Sequence, residues 1–135
     1  MPAIVWSDEY SINVKEMDDQ HKKLADIINE FDDAVQAREE EDMLKITLEN
    51  LMDYTETHFT REEELMMQHK YPAFDVHKEE HNSLTHEVIA LYKMYKNDDK
   101  DTATKIAFLL GHWLLDHIMK EDKKYGAYLN SKGIT

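Results

Sequence analysis

Hydrophobic residues recur along most of this chain at three- and four-residue intervals, the period of an α-helix with one buried face. The first such stretch is expected from about Asp18 to Ala37, with Leu24, Ile27, Ile28, Phe31 and Val35 on one stripe and Asp18 as its N-cap. The second, from about Glu41 to Met67, carries Leu44, Leu48, Leu51, Thr55, His58, Glu62 and Leu65. The third runs from about Ala73 to Lys96 on His77, His81, Leu84, Val88, Leu91 and Tyr95. The fourth is expected to be capped by Asp101 and to end near Lys124, with Ile106, Leu109, Leu110, Trp113, Leu114, His117 and Ile118 facing inward. Residues 1–17, with Pro2, Trp6 and Tyr10, lack the period and read as an extended arm packed on the body. The tail after Lys124 carries little signal.

The connections are short: the Tyr71-Pro72 turn and the polar segment Asn97 to Asp101. Short loops make successive helices antiparallel neighbours, so the expected fold is all-α, an up-down-up-down four-helix bundle forming a single domain over 1–135. In that topology the starts of the first and third helices share one end with the finishes of the second and fourth. His21, His58, Glu62, His77, His81, His117, Glu121 and Asp122 all fall near that end. Buried carboxylates among histidines are costly without a partner, and a metal supplies one.

Taken singly, these residues are weaker signals. His58 and Glu62 lie about 400° apart on a helix, close to one face, but such pairs are common on solvated surfaces. His77 and His81 at i, i+4 can chelate one ion. His21 alone is more often an ordinary core or surface histidine. His117 and Asp122 are five residues apart, about 140° round an α-helix, so helical geometry alone favours Glu121. His77-Lys-Glu-Glu-His81 spells the inverted zinc-peptidase pattern, with Glu80 as base, but it leaves His21, His58, Glu62 and His117 without purpose. The acidic turn at Asn97 is no calcium loop, since Thr102 and Phe108 stand where a glycine and a bidentate glutamate belong. His69 and His86 read as loop or surface residues, His112 as a packing residue, and the methionines as core filler.

Composition narrows the classes. With 135 residues, three glycines and two prolines, the chain can bury a core as one domain and has no linker stretch. Twenty-nine acidic against sixteen basic residues, a formal charge of −13, argue against binding nucleic acid or anionic lipid. The absence of cysteine removes disulfides, thiolate metal sites and cysteine nucleophiles. The N-terminus has no signal-peptide pattern, and the apolar run from Ile106 to Met119 is short and interrupted by Gly111, His112, Asp116 and His117. A cytoplasmic protein without membrane insertion is expected.

The ordered set His21, His58-x-x-x-Glu62, His77-x-x-x-His81 and His117-x-x-x-x-Asp122 resembles the hemerythrin family over nearly the whole chain. So do Asp19-Gln-His21, His58-Phe59, the Tyr71-Pro72 turn, Trp113-Leu-x-x-His117-Ile118 and the arm with Trp6. The resemblance implies two non-haem iron ions with an oxo or hydroxo bridge. His77, His81 and His117 would hold one ion and His21 and His58 the other, with Glu62 and Asp122, rather than Glu121, bridging. It places dioxygen at the position left open on the two-histidine side, beside a dry pocket of Leu24, Phe59, Trp113, Leu114 and Ile118. The implied role is reversible oxygen carriage, storage or delivery, not catalysis, by a monomer with an oxygen-consuming enzyme as a candidate recipient. Ferritin-like oxidases use paired Glu-x-x-His motifs, and this chain has none. An oxygen-sensing or interaction module and a di-iron oxidase are the competing readings.

Overall fold

The computed structural model describes residues 4–37, 41–95 and 100–135. Pro2 of the expected arm, residues 38–40, residue 96 at the expected end of the third helix and residues 97–99 of the expected polar turn lie outside the described residues, as does the side chain of Tyr95. A short 3-10 turn at Asp8–Tyr10 precedes α1 (Lys15–Gln36), α2 (Glu41–Gln68), α3 (Phe74–Tyr95) and α4 (Lys100–His117). A π-helical turn, Ile118–Asp122, then leads without a break into α5 (Lys123–Ser131). Each helix packs on the next and α4 closes back on α1, giving a four-helix bundle. No strand occurs among the described residues, and none of their helices is long and apolar enough to cross a membrane.

The core follows the predicted stripes. Leu24, Ile28, Phe31, Leu48, Leu51, Ile106, Leu114 and Ile118 are almost wholly buried. The fourth stripe is narrower than expected, because Leu109 is 46% exposed and leaves that face to solvent. His112 is exposed as well and stacks on the equally exposed Phe108, so it is not the packing residue its apolar neighbours suggested. The methionines divide: Met17 and Met66 fill the core, while Met43, Met67 and Met119 face solvent.

Both ends of the chain depart from expectation. α1 starts one turn before Asp18, with Val14 at the N-cap and no side-chain cap. Asp18 instead accepts hydrogen bonds from Ser11 Oγ at 2.5 Å and the Ile12 amide at 2.9 Å, binding the arm to the first turn of α1. Asn29 exchanges two hydrogen bonds with the backbone of Ile4, each 2.8 Å, and Ile4, Ile12 and Val14 are buried. α4 begins at Lys100, so Asp101 belongs to its first turn. The helix does not end near Lys124: α5 continues to Ser131 and buries Tyr125 and Leu129 completely. An arm and a terminal helix that cover each other can bury residues that neither could bury alone.

α2 ends with Lys70 in the left-handed region (φ 55°) and a Tyr71 amide bonded back to the Met66 carbonyl at 2.8 Å, a Schellman-type stop before Pro72. The Tyr128 hydroxyl on α5 donates toward the His69 carbonyl at 2.6 Å, so the terminal helix also braces the α2–α3 turn.

At Gly126, α5 lies close against the arm. A Cβ there would sit 2.7 Å from the Ile12 carbonyl oxygen and 2.8 Å from its Cβ. The obstacle is backbone, so Gly126→Ala is expected to lower stability by about 1–3 kcal/mol. Urea denaturation checks this; a variant as stable as the parent would mean that the arm yields without cost.

Candidate metal centre

All seven residues that resemblance singled out as ligands converge at one end of the bundle, and none is more than 3% exposed. His21 stands in the second turn of α1, and His58 and Glu62 lie on the inner face of α2 near its end. His77 and His81 lie on the first turns of α3, and His117 closes α4.

Asp122 reaches the same level through the π turn. In an α-helix, residue i+5 falls well off the face of residue i. A wider turn closed by i→i+5 hydrogen bonds returns that residue to the face, and such turns often mark functional sites. Here the wide turn covers Ile118–Asp122, immediately after His117. Asp122 is therefore buried, with His117 Nε2 3.0 Å from its Oδ1. Glu121, which a regular helix would have favoured, is half-buried, with Lys124 3.7 Å away.

The potential ligand atoms form two groups: Glu62, His77, His81, His117 and Asp122, and His21, His58, Glu62 and Asp122, with the atoms of each group within 4.8 Å of one another. Both carboxylates belong to both groups, and each turns one oxygen to each. Glu62 Oε1 is 2.8 Å from His58 Nε2 and 3.1 Å from His21 Nε2, while its Oε2 is 3.1 Å from His81 Nε2. Asp122 Oδ2 is 3.1 Å from His21 Nε2, while its Oδ1 is 3.2 Å from His77 Nε2.

One of these contacts, His21 Nε2 to Glu62 Oε1, is a hydrogen bond; the others are close but poorly aligned. His77 Nε2, His81 Nε2, His117 Nε2, Glu62 Oε2 and both Asp122 oxygens are buried without a hydrogen-bond partner. Buried polar atoms are rarely left so. A cluster of them, facing one another at about 3 Å without hydrogen-bond geometry, is what a shared cation would satisfy. Five imidazole nitrogens and two carboxylates suit a first-row transition metal.

Without a metal, the imidazoles and carboxylates compensate one another. Burial opposes charge on His21 and His77, but the Asp122 and Glu62 carboxylates close beside them outweigh it and raise both to about 10. His117 is likewise raised to about 9, against burial, chiefly by the Asp122 charge. Burial pushes the Glu62 and Asp122 carboxyls up, yet the surrounding histidines hold both well below the usual carboxylate range.

A second set of residues holds the imidazoles by their outer nitrogens. Gln20 Oε1 accepts from His58 Nδ1 at 2.6 Å, and Glu80 Oε1 from His117 Nδ1 at 3.0 Å. Glu63 Oε2 lies 3.4 Å from His81 Nδ1. These roles were not read from the sequence, although a signal existed. Each residue directly adjoins a ligand candidate on its own helix, so it lies about 100° round from the buried face and reaches a histidine on the next helix. Tyr125 was missed because α5 was unexpected; its ring meets His77 edge-on at 5.3 Å and its hydroxyl is buried without a partner.

Of the residues expected around the oxygen pocket, Phe59 and Trp113 lie against ligand histidines. Leu24, Phe59, Leu114 and Ile118 are no more than 5% exposed, and Trp113 is half-buried. Phe59 stacks on His81 at 3.8 Å, and Trp113 is parallel to His117 at 6.2 Å.

A family model described as the hemerythrin HHE cation binding domain matches residues 13–129. The chain is 32% identical over 132 residues to a bacteriohemerythrin of Methylococcus capsulatus, covering 97% of this chain and all (100%) of that protein. It is also 32% identical over 125 residues to a bacteriohemerythrin of Pseudomonas aeruginosa (strain LESB58), covering 93% of this chain and 80% of that protein. A crystal structure of wild-type hemerythrin superposes with a TM-score of 0.79 at 32% identity, covering 92% of this chain and 95% of that one.

The raised histidines give the metal-free protein a distinct pH profile. Their folded values of about 10, 10 and 9 exceed the unfolded value, so their stabilisation is complete below about pH 6.5 and lost as pH rises through the folded values. The depressed carboxylates contribute above about pH 4 and lose that contribution on acidification. Thermal unfolding of the metal-free protein should therefore show a midpoint that declines steadily from pH 7 to pH 10. Divalent-metal uptake at pH 7 should release about three protons, measurable with an indicator dye in weak buffer; uptake without proton release would contradict the assignment.

Proposed function

This chain belongs to the hemerythrin family, and we infer that it binds dioxygen reversibly at a non-haem di-iron centre. In this reading His77, His81 and His117 hold one iron, His21 and His58 hold the other, and Glu62 and Asp122 join the two. The observation that carries it is the unequal division of imidazoles around two shared carboxylates. The two-histidine side has one protein donor fewer, which leaves room there for an exogenous ligand. A ferrous pair would supply the electrons that dioxygen takes up on binding and returns on release.

The chain's own residues do the rest. Gln20, Glu63 and Glu80 fix the ring orientations of His58, His81 and His117. Leu24, Phe59, Leu114 and Ile118 wall the centre with apolar side chains, which keeps out the water and protons that would make binding irreversible. Trp113 covers His117 from the flank. A ligand shell rich in neutral imidazole carries little negative charge, which favours a carrier over an oxidase that must stabilise high-valent metal.

One contact favours a second reading, oxygen sensing. Trp6 of the N-terminal arm lies 6.5 Å, ring to ring, from His21, so a change at the centre could be passed to the arm. Oxygen-dependent change in Trp6 fluorescence or in proteolysis of the arm would support a sensor; an arm indifferent to oxygen would leave the carrier reading alone.

Anaerobic loading with ferrous iron, metal quantification and cycles of oxygen addition and removal test the main proposal. Two irons per chain and a reversible colour change are expected, whereas irreversible turnover of a substrate would indicate an enzyme. Leu114→Ala is expected to shorten the lifetime of the oxygenated protein several-fold, roughly, by admitting water. It should also cost about 2–5 kcal/mol of stability. An unchanged lifetime would count against Leu114 as part of the wall.

A further inference from the structure

The groups behind the histidines are as unequal as the histidines themselves. On the three-histidine side, His117 is backed by the Glu80 carboxylate at 3.0 Å and His81 by the Glu63 carboxylate at 3.4 Å. On the two-histidine side, His58 is backed by the neutral amide of Gln20 at 2.6 Å. His21 Nδ1 is buried with no hydrogen-bond partner among the described residues. The pattern runs round the bundle: α1 supports a histidine of α2, α2 one of α3, and α3 one of α4. It stops at His21, where no residue of the terminal helix completes the circuit.

A carboxylate accepting from Nδ1–H makes the imidazole a stronger donor at Nε2 and fixes its direction, and loss of such a partner weakens metal binding about 10- to 100-fold. An amide oxygen fixes direction but adds no charge. We propose that Glu63 and Glu80 are positioning residues that make the three-histidine site the tight, first-filled metal site, and that Gln20 and the unsupported His21 leave the two-histidine site labile and filled second. The proposal rests on the two-metal reading above and deepens it. Donor number alone already favours the same order, so the claim specific to these residues is that changing the backing group changes the separation between the two affinities.

Glu80 and Glu63 are partly exposed, at 34% and 19%, and Gln20 is half-buried, so polar replacements are accommodated without opening the core. The functional consequence is that a chain losing metal passes through a form in which only the three-histidine site is filled.

The test uses the metal-free full chain, labelled with ¹⁵N-histidine and titrated with Zn²⁺. Its readout is ring-nitrogen resonances, with affinities from competition against a chromophoric chelator. The first equivalent should move the resonances of His77, His81 and His117, and the second those of His21 and His58. Glu80→Gln should weaken the first site about 10- to 100-fold, with Glu63→Gln in the same direction. Gln20→Glu, a gain rather than a loss, should tighten the second site and narrow the separation. Two zinc ions bound with His21 and His58 responding first, or with affinities indifferent to all three substitutions, would overturn the proposal while leaving the two-metal reading intact. A plateau at a single ion per chain would overturn both, and the plateau itself distinguishes that case.

Discussion

Glu62 and Asp122 have no solvent exposure, and they stand among five buried imidazoles in the interior of a bundle that is otherwise mostly apolar. Taking a carboxylate out of water costs several kcal/mol, roughly, even after the surroundings relax, and the cost is recovered only where opposite charge lies close by. Among the described residues, the helices meet this condition at one level. α1, α2, α3 and α4 each bring a histidine to that level, while most other buried side chains of the described residues are aliphatic or aromatic. The arrangement makes electrostatic sense with protonated histidines alone. The unaligned Nε2 atoms, however, have the geometry of ligands awaiting a cation rather than of hydrogen-bond donors.

Bringing Asp122 to that level requires a change in helical phase. A regular helix would present Glu121 and turn Asp122 aside. The π turn from Ile118 to Asp122 inserts the missing rotation, and its effect extends beyond one carboxylate. α5 resumes in the new phase, which is why Tyr125 and Leu129 point inward and why Gly126 faces the arm at Ile12. A wide turn is locally less favourable than continued α-helix, so it depends on what it delivers: an aspartate in the histidine cluster, and a terminal helix whose apolar face closes the end of the bundle.

Closure at that end is a joint product of segments far apart in the chain. The arm is tied down by Asp18 and Asn29, α5 packs against it, and Tyr128 reaches across to the turn between α2 and α3. Together they cover the polar cluster, and so provide the low-dielectric surroundings in which its charges interact strongly. Membership of the hemerythrin family places this arrangement in a cation-binding class, and Phe59, Leu114 and Ile118 are buried in the same core.

Much of this was legible in the sequence because helical periodicity is a local property. The spacing of Leu44, Leu48 and Leu51 assigned His58 and Glu62 to a buried face, and short connections implied that polar interruptions on four helices meet at one end. Resemblance chose Asp122 over Glu121, but periodicity pointed the other way, because hydrophobic spacing assumes one constant helical phase. The π turn breaks that assumption, and its wide ring is stabilised by contacts across the bundle rather than by anything evident in residues 118–122 themselves. For the same reason α5 was unreadable: its burial depends on the arm lying beneath it. His112 and Leu109 looked internal by type but face solvent, since the width of a buried stripe is set by how closely neighbouring helices approach. The sequence by itself determined the helices, their order and the end at which polar residues gather. Only the tertiary structure decided which oxygen faces which nitrogen, and which outer residue supports which ring, because those are relations between helices that no single helix encodes.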